Sequence, residues 1–245
     1  MSSTPTPERA EKLHEGKAKI VYATSDPHMI IQYFKDDATA FDAKKRGTIV
    51  NKGVINNRIA SHLFELLGES GVTTHFVAKL SDREMLCRRL QIILVEVVVR
   101  NVVAGSLAKR LGMEEGASLP RPIVEHYYKR DDLSDPPINL DHIQVLNLAT
   151  SEEMLHIRRE ALKVNEFLVK YLDQREIRLV DFKLEFGRTT GGGAGAVLLG
   201  DEISPDTCRL WDKKTHEKMD KDRFRRDLGR IEESYEEVAR RICGS

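Results

Sequence analysis

Residues 179–209 read LVDFKLEFGRTTGGGAGAVLLGDEISPDTCR, and the fold turns on this stretch. Val180, Phe182, Leu184 and Phe186 alternate with Asp181, Lys183 and Glu185. Successive side chains of a strand point to opposite faces, so the apolar groups share one face and the ionisable groups the other. Gly191, Gly192 and Gly193 permit a reversal, and Ala196 to Leu199 is apolar enough to return as a partner strand. A turn centred on Gly193 sets Glu185 opposite Asp201. Like charges across a ladder destabilise it unless something neutralises them. Two readings follow: a hard divalent cation such as Mg2+ joins the carboxylates to nucleotide phosphates, or the carboxylates lie on a solvated polar face. The tract Gly191 to Gly195 is expected to form a hairpin tip and not a phosphate cradle, because no Gly-Lys-Ser/Thr and no helix signal follow it.

Outward from the hairpin, local pattern assigns further elements. Ile20 to Tyr22 and Met29 to Phe34 read as strands flanking the turn signal Asp26-Pro27. Ile55, Ile59, Leu63, Leu66 and Leu67 form a helical stripe that ends at Gly68. Thr74 to Leu80 and Ile92 to Val103 read as strands, the second buried because its valines and isoleucines run nearly unbroken. Thr150 with Glu153 makes a capping box for a long helix with Met154, Ile157, Ala161, Val164, Leu168 and Tyr171 on one face. Phe224, Leu228, Ile231, Tyr235, Val238 and Ile242 predict one final helix packed on its own domain. Strands dominate the first third and mix with helices afterwards, so the class is α+β.

Composition narrows the function. The 245 residues are 40% apolar, enough for one large domain or two small ones. Lysine plus arginine equals aspartate plus glutamate at 39 each, so no global basic field favours nucleic acid. The most apolar run, Ile92 to Val99, is interrupted by Glu96 and is too short to span a bilayer. Residues 1–10 lack the apolar segment of a signal peptide, and Cys87, Cys208 and Cys243 fit neither a disulfide framework nor a zinc site. A reduced cytoplasmic location is the expectation.

Two segments offer anion-binding chemistry. Glu15-Gly16-Lys17-Ala18-Lys19 precedes the first expected strand, with a glycine for close backbone approach and two lysines, but it lacks the Walker spacing. In Arg100 to Arg110 a strand ends near Val103, Gly105 breaks it, and Ser106 is placed to cap a short helix whose N-terminus would attract an anion. An ordinary strand-to-helix corner with a solvated Arg100 fits the same residues.

Several segments together resemble the SAICAR synthetases. Glu96-Val97-Val98-Val99-Arg100 with Ala104-Gly105-Ser106 is similar to one signature of that family, and Asp181 to Gly187 to a second. Asp201 to Asp206, Arg209 to Asp212, Asp220 to Leu228, Gly16 to Tyr22, Ala40 to Asp42, and Lys52-Gly53 with Asn56-Asn57 continue the likeness, which runs from about Leu13 to Cys243. Two features depart from it: Leu94 stands where the family often has proline, and the glycine-rich tip is a few residues longer.

The resemblance implies a two-lobed α+β fold: an antiparallel-sheet nucleotide lobe (1–93), related to kinase-like and ATP-grasp folds, then a larger lobe (94–245), with ATP in the cleft. It implies that Lys17, Ala18 and Lys19 cover the ATP phosphates, and that the segment Leu90 to Glu96, including Gln91 and Ile92, holds the adenine together with Val21. Glu185 and Asp201 would bind Mg2+. Arg100, Ser106 and Arg209 would bind the ribotide, with Asp42 and Lys129 on segments that close over it. Asp181 and Lys183 would line the meeting point of the substrates. The implied activity is ATP-dependent joining of L-aspartate to carboxyaminoimidazole ribotide, with those small molecules and neither nucleic acid nor membrane as partners. A homodimer is left open. A small-molecule kinase and a nucleotide-binding regulatory module without turnover are the rival readings.

Overall fold

The computed structural model describes residues 7–40, 45–190 and 195–244. Strands β1 (Lys12–Glu15), β2 (Lys19–Ala23) and β3 (Met29–Phe34) open the chain, and β4 (Asp37–Ala40) pairs with β5 (Lys45–Thr48) as a separate ribbon. Helix α1 (Lys52–Glu69) leads to β6 (Phe76–Lys79) and β7 (Glu84–Arg88), which complete an antiparallel sheet of order β1-β2-β3-β7-β6. The expected hairpin is present: β2 and β3 pair across the turn, where Met29 N–H donates to Asp26 O at 3.0 Å. Helix α1 packs on this sheet and buries Ile55, Ile59, Leu63 and Leu67, as its stripe requires.

The chain changes sheet at Arg89. β8 (Leu90–Val102) runs from there into a second antiparallel sheet, followed by α2 (Gly105–Leu111), β9 (Ser118–Tyr128), a 3-10 turn (Asp131–Leu133) and β10 (Pro137–Ile138). Helices α3 (Leu140–Val145) and α4 (Ser151–Asp173) precede β11 (Ile177–Thr189), β12 (Val197–Leu199) and β13 (Cys208–Asp212). The order is β10-β9-β8-β11-β12, with β13 also on β11. A parallel bridge between Thr74 and Leu199 joins the two sheets, and one continuous apolar core runs through both and through α1 and α4. Helix α4 starts at the expected capping box: Glu153 N–H donates to Thr150 Oγ1 at 3.1 Å and Thr150 N–H to Glu153 Oε2 at 2.8 Å. Among the described residues no helix is long and apolar enough to cross a membrane.

Three local expectations need correction. The strand expected through Ile92 to Val103 is not buried on both faces: Ile93, Val95, Val97 and Val99 enter the core, while Glu96 and Val98 face a cleft. The final helix is two, α5 (Asp222–Arg225) and α6 (Ile231–Cys243). Asp227, Gly229 and Arg230 between them all adopt positive φ, which breaks the helical path and leaves Leu228 45% exposed. Ser106 does not cap α2; the cap position is Ala104, and no side chain bonds there. The strands β7 and β9 had no clear signal, β9 because Pro120 and Pro122 interrupt its pattern.

Candidate active site

β8 and β11 form the floor of a cleft enclosing about 490 Å³, and their register places its chemistry. Asp181 pairs with Arg100, Lys183 with Val98, and Glu185 with Glu96. The alternation in β11 therefore holds: Phe182, Leu184 and Phe186 are buried in the core, and Asp181, Lys183 and Glu185 line the cleft. The roof is the tip of the β1–β2 hairpin, closed by Gly16 N–H donating to Lys19 O at 2.8 Å, which sets Lys17, Ala18 and Lys19 over the floor.

The Glu185–Asp201 register differs from expectation. Phe186 pairs with Leu199, so Gly200 lies opposite Glu185 and donates its N–H to Glu185 O at 2.9 Å. Asp201 then leaves the strand with φ 58 and turns into the same cleft. Glu185's like-charged neighbour across the ladder is instead Glu96, and Lys183 Nζ sits between them, 2.9 Å from each carboxylate. Lys129 Nζ adds a second contact to Glu185 at 2.9 Å. Lys19 pairs with Asp201 and, at 3.0 Å, with Glu202.

These pairings fix the charge states. Burial works against charge on Asp201, but Lys19 and then Lys183 outweigh it and hold the carboxyl well below the usual range. Glu185 is also lowered: burial and Asp201 oppose its ionisation, and Lys183 and Lys129 prevail. Lys19 and Lys183 are correspondingly raised, burial opposing and their carboxylate partners winning. The cleft thus holds two ionised carboxylates close enough to repel, the donor number a Mg2+–nucleotide site takes from protein. Among the described residues no group of three or more His, Cys, Asp or Glu is assembled to hold an ion. Nucleotide phosphates and water would have to complete the shell.

At the other end of the cleft, guanidinium and carboxylate groups alternate along a chain through Arg110, Glu125, Arg100, Asp181, Arg209, Asp222 and Arg225, of which Arg100, Asp181, Arg209 and Arg225 line the cleft itself. Arg100, only 3% exposed, donates from Nε to Glu125 Oε2 and from Nη1 to Asp181 Oδ2, both at 2.6 Å, and from Nη2 to Ser106 Oγ at 3.2 Å and Tyr127 Oη at 3.1 Å. Arg209 Nη1 donates to Asp181 Oδ2 at 2.9 Å, and its Nε to Asp222 Oδ2 at 3.0 Å. Guanidinium groups outnumber carboxylates by one along the chain, so an anion is favoured here.

Of the residues expected from sequence, Lys17, Ala18, Lys19, Arg100, Lys129, Asp181, Lys183, Glu185, Asp201 and Arg209 converge on this cleft. Val21, Gln91, Ile92 and Ser106 are not part of its lining, and Asp42 and Gly191 to Gly193 lie outside the described residues. Sequence reasoning missed Glu125, Tyr127, Asp206, Lys221, Asp222 and Arg225. Asp206 and the run Asp220 to Leu228 belong to the likeness noted in the sequence, but no individual site role was attached to Asp206, Lys221, Asp222 or Arg225, because charge runs are usually solvated.

Comparison with known proteins shows the family and the fold. The family model described as SAICAR synthetase matches residues 12–242. Phosphoribosylaminoimidazole-succinocarboxamide synthase of Chlorobaculum tepidum is 59% identical over 230 residues, 94% of this chain and 96% of that protein. The crystal structure of the synthase of the same name from Ehrlichia chaffeensis superposes with a TM-score of 0.94 at 45% identity, covering 96% of this chain and 99% of that one. A SAICAR synthetase solved in complex with ADP superposes with a TM-score of 0.91 at 49% identity, covering 95% and 97%.

Proposed function

The chain belongs to the SAICAR synthetase family, and from this we propose how its cleft performs an ATP-dependent ligation of purine biosynthesis, joining L-aspartate to carboxyaminoimidazole ribotide. The observation that carries the assignment of residues is the division of one cleft into two charge zones. The carboxylates Glu185 and Asp201, each gripped by lysine, occupy one end, and the arginines Arg100 and Arg209, bridged by Asp181, the other. The first zone suits a nucleotide triphosphate with its cation, the second an anionic ribotide.

Amide formation needs an activated carboxylate, because a carboxylate oxygen is a poor leaving group. The ribotide carboxylate oxygen attacks the γ-phosphorus of ATP, the bond to the β-phosphate oxygen breaks, and ADP leaves. The aspartate amine then attacks the acyl phosphate carbonyl, loses a proton, and inorganic phosphate departs with the activated oxygen. Lys17 and Lys19 from the roof and Lys183 from the floor offset charge on the transferring group, and Ala18 approaches it through its backbone. Mg2+ held by Glu185 and Asp201 supplies further neutralisation of the phosphoryl oxygens when bound. Arg100 and Arg209 hold the ribotide, assisted by Ser106, while Asp181 keeps the two guanidinium planes in register. Lys129 closes on the cation side through Glu185. The adenine rests along Leu90 to Glu96, with Val21, Gln91 and Ile92 as its neighbours. Cys87, Cys208 and Cys243 are free thiols without a part in the chemistry, in keeping with a reduced cytoplasmic setting.

A coupled assay of ADP release with each component omitted in turn tests this. ADP is expected only with ATP, Mg2+, the ribotide and L-aspartate together. Equal turnover without aspartate would point to a kinase.

A further inference from the structure

We propose that Asp222 is a positioning residue for ribotide binding, fixing the plane of the Arg209 guanidinium so that its free edge stays turned to the anionic substrate. This rests on the reading of the cleft given above. Asp222 is 2% exposed and is not among the cleft-lining residues, whereas both of its strong partners, Arg209 and Arg225, line the cleft. It therefore acts on the site only through other side chains.

Asp222 is itself located by a closed ring of contacts. Arg209's chain neighbour Leu210 donates its N–H to Asp220 Oδ2 at 2.7 Å, and Asp222 N–H donates to Asp220 Oδ1 at 2.7 Å. Asp222 Oδ2 then accepts from Arg209 Nε at 3.0 Å, closing the ring back onto the strand it began from. With Nε on Asp222 and Nη1 on Asp181, the guanidinium is held on two edges, and its Nη2 edge lies over Gly105 at the start of α2. The second Asp222 oxygen takes Arg225 Nη1 at 2.6 Å, so one buried carboxylate also orders the next cleft cation. Burial opposes the charge on Asp222, and Arg209 and Arg225 outweigh it, so the group stays ionised. A long, rotamer-rich side chain that is already ordered loses less entropy on gripping a ligand, which is how such a contact strengthens binding.

The test is a double-mutant cycle in the full-length enzyme with steady-state kinetics for each substrate. Asp222→Asn should raise the KM for the ribotide about tenfold and leave the KM for ATP within about twofold. In an Arg209→Ala background the same change should add no more than about twofold, because the residue it acts through is gone. Asp222→Glu, which keeps the charge, should recover part of the loss. An equal penalty with and without Arg209, or an equal rise in the KM for ATP, would mark a general structural role and overturn the proposal. If Asp222→Asn does not fold, the cycle is run with Asp222→Glu, for which an Arg209-independent effect is equally decisive. Arg209→Ala leaving the ribotide KM unchanged would instead refute the placement of the ribotide, a result separate from the fate of Asp222.

Discussion

Arg209 packs directly on Gly105: a Cβ at Gly105 would lie 2.6 Å from Arg209 Nη2. Gly105 also has φ +55, where a side chain costs roughly 1–2 kcal/mol. Gly105→Ala should therefore push the guanidinium out of place as well as strain α2. The expected outcome is a ribotide KM raised about tenfold with ATP nearly unaffected, and a stability loss of about 1–2 kcal/mol. Calorimetry of ribotide binding with an affinity equal to wild type would show that Arg209 tolerates displacement.

Glu185 and Asp201 are expected to bind the cation jointly with nucleotide. Glu185→Gln should leave the fold intact and lower turnover at least about tenfold, with partial recovery at high Mg2+. Because Lys129, Lys183 and Lys19 already neutralise these carboxylates, Mn2+ should bind weakly until nucleotide is added. Electron paramagnetic resonance of Mn2+ titrations reads this directly. Tight Mn2+ binding that survives both Glu185→Gln and Asp201→Asn would place the ion elsewhere.

Asp206 closes a buried knot. Its Oδ2 accepts from Lys52 Nζ at 2.8 Å and its Oδ1 from Tyr235 Oη at 2.9 Å, while Lys52 is 0% exposed. Removing one partner of a buried pair leaves the other charge uncompensated, so Asp206→Asn should cost about 3–5 kcal/mol near pH 7. Burial opposes ionisation of Asp206, but Lys221 and Lys52 hold its carboxyl far below the ordinary 3.8. A carboxyl depressed in the folded state stabilises above its unfolded pKa, and that contribution is lost as pH falls below about 4. The melting-temperature gap between variant and wild type should therefore narrow in that range. A gap under about 2 °C at neutral pH would mean the knot contributes little.

His75 sets a second, milder acid response. Burial first, and Lys19 second, push its pKa down from 6.5 to about 4. The unfolded chain takes up a proton below 6.5 that the folded chain refuses, so stability present above 6.5 is lost between 6.5 and about 4, by roughly 3 kcal/mol in all. Ring-nitrogen chemical shifts should show His75 neutral at about pH 5.5. A midpoint near the ordinary histidine value would show that water reaches the ring.

Much of the fold was legible where the signal is local. The capping box at Thr150, the α1 stripe and the β2–β3 turn each lie within a few residues, and backbone geometry alone reads them. The C-terminal stripe misled because apolar spacing continues across a segment whose positive φ values at Asp227, Gly229 and Arg230 end the helix path. The hairpin register was off by one residue because a glycine run in the sequence carries no side-chain pattern that would fix register.

What the sequence alone determined is which side chains of β11 share a face, because the two-residue period of a strand is covalent geometry. It thereby assigned Asp181, Lys183 and Glu185 to one surface before anything was known of their surroundings. Only the tertiary structure decided which charge neutralises which. Lys183 stands between Glu96 and Glu185, Asp181 between Arg100 and Arg209, and Lys52 meets Asp206 from 154 positions away. Coulomb energy depends on separation in space and on exclusion of water, and both are set by how distant strands and helices pack.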